Sequence, residues 1–165
     1  MQLLISDANI LIDLEEGEII KYLFKLPYGF STPDILFHEE LENEHEYLLS
    51  LGLQLNELSG ETMVYAIELT SKYQRPSRND CFALALATQE QCPLLTGDKD
   101  LKNAAINESV MVRGTLWLVE MMIRRELITI DDARNSYKKM KAGGRRLPWE
   151  TANAMLNDLE NELHD

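Results

Sequence analysis

Two short apolar runs in the sequence each stop at an aspartate. Residues 3–6 precede Asp7, and residues 93–97 precede Asp98. Short apolar runs bounded by polar residues are typical of fully buried strands, which occur in parallel sheets with both faces covered. Ligands bind beyond the carboxyl ends of such strands, so both aspartates are candidate site residues.

Strand-like and helical segments alternate along the rest of the chain. This alternation implies right-handed crossovers and a three-layer α/β/α fold around a mainly parallel sheet. Three further strands are predicted over 30–34, 53–58 and 110–112. Helices are predicted from about residue 9, over 17–24, from Thr32 as N-cap to about residue 49, over 61–69, from Ser77 through the apolar stretch 82–87, and over 101–105.

Beyond Gly114 the pattern is entirely helical, with segments at 115–125, 131–140 and from Pro148 to about residue 163. A chain of 165 residues is long enough for one sizeable core. We therefore predict a domain over residues 1–118 and a helical C-terminal extension over residues 119–165, packed on or beside it.

Composition excludes several classes of protein. The chain is 45% hydrophobic and 27% charged, as in ordinary globular domains. Its longest apolar run, 116–123, contains Glu120 and is far shorter than the ~20 residues of a membrane span. No signal segment is recognisable, so we expect a cytoplasmic protein without a membrane partner. Cys81 and Cys92 lack metal-binding or redox spacing and are interpreted as packing thiols.

The formal net charge of −12 is unusual for a protein that contacts nucleic acid, because phosphate binding normally depends on Lys and Arg. Bound metal ions or basic groups from a partner would offset it. One basic cluster is present, and it either contacts RNA or forms a solvated helix end. Its members are Lys138, Lys139, Lys141, Arg145 and Arg146.

Acids distant in the chain are predicted to converge at one end of the sheet. Asp7 and Asp98 close strands, Asp80 begins a buried helix, and Glu39 and Glu40 lie early in the helix after Thr32. Clustered carboxylates raise each other's pKa, and a divalent cation relieves that repulsion. Oxygen ligands select Mg²⁺ or Mn²⁺, which promote phosphodiester hydrolysis. Taken singly, each acid also fits a turn or a helix terminus.

Four motifs, in this order, resemble those of the PIN-domain family, the nuclease fold of VapC-like toxins and several RNA-processing enzymes. They lie at 5–13, 33–41, 79–85 and 95–101, and the resemblance spans about residues 3–118. The segments 112–116 and 143–147 are similar to those of bacterial PIN proteins with an added helical segment. The resemblance implies a PIN-like fold and nuclease activity.

The resemblance also implies site residues. The four catalytic acids would be Asp7, Glu39 or Glu40, Asp80 and Asp98, with the three aspartates as metal ligands. Spacing from the proline that opens the second motif favours Glu39, whereas the Glu-Leu ending of that motif favours Glu40. The two side chains point about 100° apart on a helix, so only one of them is expected to face the metal.

Three other polar residues are candidates for supporting roles. Asn9 either orients Asp7 or a water, or caps the first helix. Thr96 supports the site from the end of its strand, and Asp100 is either an outer metal ligand or a solvated charge. The histidines show no metal-ligand spacing and are assigned no role; they are His38, His45 and His164.

The leading functional hypothesis is a Mg²⁺- or Mn²⁺-dependent endoribonuclease, the toxin of a toxin-antitoxin pair, with an antitoxin or other protein as partner and with a homodimer suggested by the family. One alternative is a non-catalytic PIN-fold module that binds protein or RNA. A second is an aspartyl phosphotransferase or phosphatase with Asp7 as nucleophile. Asn9, in place of a second acid, argues against that chemistry.

Overall fold

A five-stranded parallel sheet forms the centre of the protein, which a computed structural model describes over residues 1–164. The strand order is β3-β2-β1-β4-β5, and every neighbouring pair is parallel. The predicted α/β fold with a mainly parallel sheet is therefore confirmed. The strands are β1 (Gln2–Ser6), β2 (Tyr28–Pro33), β3 (Gln54–Asn56), β4 (Leu94–Leu95) and β5 (Val112–Arg113).

Helices connect the strands and continue beyond the last one. Eight precede β5 in the described residues: α1 (Ala8–Glu16), α2 (Ile20–Leu23), α3 (Asp34–Glu40), α4 (Glu42–His45), α5 (Tyr47–Leu51), α6 (Gly60–Lys72), α7 (Arg78–Glu90) and α8 (Lys99–Asn107). Three follow it: α9 (Thr115–Arg124), α10 (Ile130–Ala142) and α11 (Trp149–His164). Within residues 1–164, every helix is too short or too polar to cross a membrane.

The middle strand β1 is covered on both faces. Leu4, Ile5 and Ser6 point alternately to opposite faces of the sheet, and all three are buried. Helix α7 packs against β1 and β2, and its residues 81–87 are all buried, as the apolar sequence predicts. Its N-cap is Ser77, also as predicted. Because β1 lies between two strands and is covered on both faces, the position of Asp7 at its carboxyl end is fixed as well.

The C-terminal helices share the apolar core of the sheet. Tyr137 of α10 and Leu156 of α11 belong to the same buried cluster as the strand residues. Helix α10 packs on α1, where the Ser136 hydroxyl donates a buried hydrogen bond of 2.7 Å to the carbonyl of Gly17. The segment after α10 continues along α1 as far as Arg145, whose side chain contacts Asn9 near the carboxyl edge of the sheet. Asp165, the last residue of the predicted extension 119–165, lies outside the described residues.

The continuous helix predicted as far as residue 49 is wrong, because the chain breaks into α3, α4 and α5. Leu41 leaves the helical conformation, with φ −120° and ψ −23°. Glutamates four residues apart, such as Glu40 and Glu44, repel one another on a continuous helix and weaken it. Thr32 is not the helix cap either. Its hydroxyl donates to the carbonyl of Ser6 at 3.1 Å and ties β2 to β1.

Two other boundaries differ from prediction. The helix expected over 17–24 is a single turn, α2, and the last strand lies at Val112–Arg113 rather than over 110–112. Cys81 and Cys92 are buried and unpaired, as expected of packing thiols.

Candidate active site

Asp7 is the most buried acid of the candidate site. It follows β1 and caps α1, where one carboxylate oxygen accepts the Ile10 N–H at 3.0 Å. The other oxygen accepts the Thr96 hydroxyl at 2.5 Å. Asp7 is only 2% exposed, and burial raises the pKa of its carboxyl group from 3.8 to about 7. The charges of Asp80 and Asp13 raise that pKa further, against the effect of the two hydrogen bonds.

Thr96 links the two acids that follow neighbouring strands. It is buried just beyond β4, donates its hydroxyl proton to Asp7, and accepts the Asp98 N–H at 3.1 Å. Asp98 in turn caps α8 by accepting the Leu101 N–H at 2.8 Å. The β1 and β4 ends are thereby held in one arrangement.

Asp80 completes this group from the start of α7. It forms a capping box with Ser77, in which each backbone N–H donates to the other residue's side chain at 3.0 Å. Burial raises the Asp80 pKa, and the charge of Asp98 adds to that rise. Because Asp80 also raises the pKa of Asp7, it interacts electrostatically with both strand-end acids.

Glu40 and Glu39 have opposite surroundings. The pKa of Glu40 is raised by burial, with further contributions from Asp80 and Glu39. Glu39 accepts hydrogen bonds from the Asn79 amide and from the Arg78 guanidinium at 2.5 Å, and these lower its pKa. The structure thus places Glu40 within electrostatic range of Asp80 and pairs Glu39 with Arg78.

Asn79 is the first residue of the third motif, and the sequence alone indicated no role for it at the site. Its amide nitrogen donates to Glu40 at 2.9 Å and to Glu39 at 3.2 Å, so it holds both glutamates. Its Oδ1 atom is buried and has no hydrogen-bond partner among the described residues. An unpartnered buried oxygen next to carboxylates is available to a bound water or cation.

Asp13 was missed as a possible site residue. Asp13 is only 7% exposed. Its carboxylate accepts hydrogen bonds from the Arg145 Nε–H at 2.6 Å and from the Thr115 hydroxyl at 2.9 Å. Burial raises the Asp13 pKa in spite of these partners. Arg145 also donates to the Asn9 side chain at 3.1 Å. Asn9 and Asp13 lie four residues apart on one helix face, and that spacing was the available signal.

Asn9 does not cap α1, and Asp100 has the surroundings of a solvated charge. Asn9 is not the cap of α1, which is Asp7, and its side-chain oxygen is engaged by Arg145 rather than oriented on Asp7. Asp100 lies in the first turn of α8, with its half-exposed carboxylate 4.0 Å from Arg75.

A cavity of about 370 Å³ opens beside Asp98. Its walls come from α1, from the loop after β4 and from the segment after α10. The C-terminal extension therefore reaches the acidic edge of the sheet. The lining residues are Asn9, Asp13, Gly97, Asp98, Gly144, Arg145 and Arg146.

The acidic group suits a hard divalent cation bound partly through water. Within residues 1–164, no three His, Cys, Asp or Glu side chains lie close enough to hold one ion directly. However, the donors are carboxylates, of which Asp80 raises the pKa of Asp7 and Asp98 raises the pKa of Asp80, and the Asn79 oxygen lacks a partner among the described residues. Mg²⁺ commonly keeps several waters and binds proteins through one or two carboxylates. The residues present fit such an ion.

Comparison with known proteins identifies the family. A family model described as a PIN domain matches residues 3–161, which is nearly the whole chain. The chain belongs to the PIN-domain family. This confirms the resemblance predicted from the four motifs. No curated protein matches this PIN domain.

Solved structures with the same fold are distant in sequence. One is VapBC2 from Rickettsia felis, bound to a DNA fragment from the promoter of VapBC2. It has 15% sequence identity and a TM-score of 0.50, and the match covers 68% of this PIN domain and 98% of that chain. A PilT N-terminus domain protein from Sulfolobus solfataricus P2 has 15% identity and a TM-score of 0.47, over 73% and 92% of the two chains. At this identity, the Rickettsia structure supports the fold alone.

Proposed function

We propose that this PIN domain is a Mg²⁺- or Mn²⁺-dependent endoribonuclease that acts in the cytoplasm. The observation that carries the proposal is Asp7. Asp7 is 2% exposed, burial raises its pKa to about 7, and its charge interacts with that of Asp80. Keeping a carboxylate in such surroundings destabilises the fold, and a bound cation relieves that cost. PIN-family membership supports nuclease chemistry for the same group.

Asp7, Asp80 and Asp98 would hold the metal in this proposal, partly through bound water rather than all by direct contact. When bound, a divalent cation lowers the pKa of water and offsets charge on the phosphodiester. Thr96 keeps two of these aspartates in fixed orientation through its paired hydrogen bonds. Glu40, whose pKa is raised, is suited to take the proton of the attacking water at a carboxylate oxygen. Water oxygen then bonds to phosphorus as the ester oxygen departs.

The surroundings of Asp7 disfavour the phosphotransferase alternative. Both of its carboxylate oxygens already accept hydrogen bonds, from Ile10 and from Thr96, and the residue is almost wholly buried. A nucleophile must be approached by a whole phosphoryl group, whereas a metal ion needs only one lone pair of a carboxylate oxygen, so burial obstructs nucleophilic attack more than metal binding. Asp7 is better placed as a ligand than as a nucleophile.

A toxin role with a protein partner is part of the proposal. VapBC2 from Rickettsia felis, which contains a chain of the same fold, supports this role, since VapC-like toxins are among the proteins that the four motifs resemble. An antitoxin carrying basic groups would suit the charge of −12 on this chain. A homodimer, which the family resemblance suggests, belongs to the same proposal.

Cleavage of a mixed RNA pool tests the proposed activity. We expect cleavage with Mg²⁺ or Mn²⁺, none with a chelator, and a loss of more than about a hundredfold in Asp98→Asn. Asparagine caps helices about as well as aspartate, so α8 should remain folded in that variant. Circular dichroism of both proteins is the control. If folded wild type leaves RNA intact under every metal condition, a non-catalytic binding module becomes the better explanation.

The two glutamates give a matched pair of variants. Glu40→Gln should reduce RNA cleavage by about tenfold or more, because it removes the proton acceptor close to Asp80. Glu39→Gln should stay within about twofold of wild type, because Glu39 pairs with Arg78 at the surface. Single-turnover cleavage rates compare the two directly. Equal losses, or a larger loss in Glu39→Gln, would contradict this assignment.

A further inference from the structure

We propose that residues 143–146, here called the arginine turn, form a phosphate-binding subsite in which Arg146 contacts the RNA backbone and Arg145 acts as a positioning residue. The inference rests on the proposed ribonuclease function and adds to it a role for the C-terminal extension. The ligand class is a phosphodiester of single-stranded RNA.

The arginine turn lines the same cavity of about 370 Å³ as the acidic edge. Gly97 and Asp98 contribute to the lining of this cavity together with Gly144, Arg145 and Arg146. A backbone phosphate placed beside Asp98 would therefore meet a cationic wall. Such a wall matters because the aspartates alone would repel the substrate.

Arg146 is the cation available to a ligand. It is exposed, lines the cavity, and makes no ion pair or side-chain hydrogen bond with the part of the chain that the structure describes. A guanidinium group presents several N–H donors in one plane, and this arrangement matches the oxygens of a phosphate. In a chain of net charge −12, an unpaired arginine beside clustered acids indicates a ligand that brings its own negative charge.

Arg145 is committed to the protein instead. It is bonded to Asp13 and Asn9, and its side chain is only 22% exposed. These bonds fix the turn against α1. Gly144 precedes it with φ +84°, a conformation that favours glycine and allows the sharp exit from α10. The turn therefore holds Arg146 at the cavity without using its charge.

The rest of the predicted basic cluster is not part of this subsite. Lys139 pairs with Glu18, and Lys138 and Lys141 line a different cavity next to Trp149. The sequence cluster of five cations thus separates by location, and Arg146 is the member that combines exposure with proximity to Asp98.

Binding of a labelled single-stranded oligoribonucleotide tests the subsite. The parent is Asp80→Asn, in which cleavage should be too slow to interfere, measured with Mg²⁺ over a range of salt concentrations. Adding Arg146→Ala should weaken binding roughly five- to tenfold at low salt and reduce the slope of log affinity against log salt by about 0.7. Arg146→Lys should restore the salt slope but only part of the affinity.

Arg125→Ala is the matched control. Arg125 is also exposed and without an ion pair in residues 1–164, but it follows α9, which begins next to Asp13 and extends about 15 Å away. This control should bind like the parent. Equal affinity of the Arg146→Ala and parent proteins, equal losses in both arginine variants, or no RNA binding by the parent at low salt would overturn the inference.

The two proposals fail in different ways. If the ribonuclease proposal is wrong, the wild-type protein will leave RNA intact in the presence of metal. The binding comparison does not depend on that result, because it requires no cleavage. Loss of the subsite alone would appear as unchanged binding in the Arg146→Ala protein while wild type still cleaves.

Discussion

In metal-free protein, Asp7→Asn should raise the free energy of unfolding at about pH 8 by up to about 4 kcal/mol, while RNA cleavage falls by more than about a hundredfold. Burial raises the pKa of Asp7 from 3.8 to about 7, so its charged form is disfavoured in the folded protein. Asparagine has nearly the same shape, keeps an oxygen for the Ile10 N–H, and carries no charge.

The size of this effect depends on pH. A carboxyl group whose folded pKa is raised binds its proton more tightly in the folded state, so its stabilising effect is complete below pH 3.8 and is lost as the pH rises through about 7. Wild type and Asp7→Asn should therefore be about equally stable near pH 4. The difference should grow between about pH 4 and 7 and then level off.

Denaturant unfolding in a chelator at several pH values measures this difference. Asp158→Asn, which changes an exposed aspartate of α11 in the same way, is the matched control and should follow wild type. Mg²⁺ should then raise the melting temperature of wild type more than that of Asp7→Asn, because only wild type retains the full ligand set. A stability difference independent of pH, or a less stable Asp7→Asn protein, would contradict the buried-charge explanation.

Local sequence patterns predicted the parts of the site that depend on the strands. The apolar runs before Asp7 and Asp98 required buried parallel strands, and parallel strands bring their carboxyl ends to one edge. The capping position of Asp80 followed from Ser77 and from the apolar stretch of α7. In each case the informative pattern lies within a short stretch of the sequence.

Tertiary contacts decided the features that the sequence left open or hid. Glu39 and Glu40 are neighbours in one helix, and contacts with a distant segment distinguish them, namely the pairing of Glu39 with Arg78 and the burial of Glu40 near Asp80. The pairing of Asp13 with Arg145 joins residues 132 positions apart. Helical periodicity describes one face of one helix, and it contains no information on which distant segment packs there. The sequence therefore predicted a basic cluster in the extension but not that Arg145 packs against α1.

Removing Arg145 should destabilise the protein by about 3 kcal/mol near pH 7, because it leaves the carboxylate of Asp13 buried without its cation. The pair has an Nε to oxygen distance of 2.6 Å, and the Asp13 side chain is 10% exposed. The neighbouring Arg146→Ala should change the free energy of unfolding by less than about 0.5 kcal/mol, since Arg146 is exposed, and it serves as the control.

A double-mutant cycle separates the ion pair from the rest of the arginine turn. In Asp13→Asn/Arg145→Ala no buried charge remains, so most of the loss should be recovered relative to Arg145→Ala alone. Burial already raises the Asp13 pKa in the folded protein, and without Arg145 that pKa should rise further. The loss in Arg145→Ala should therefore shrink as the pH falls and Asp13 takes up a proton. Strictly additive losses, unchanged between neutral and acidic pH, would show that Arg145 stabilises the protein through packing of its side chain on α1 and not through Asp13.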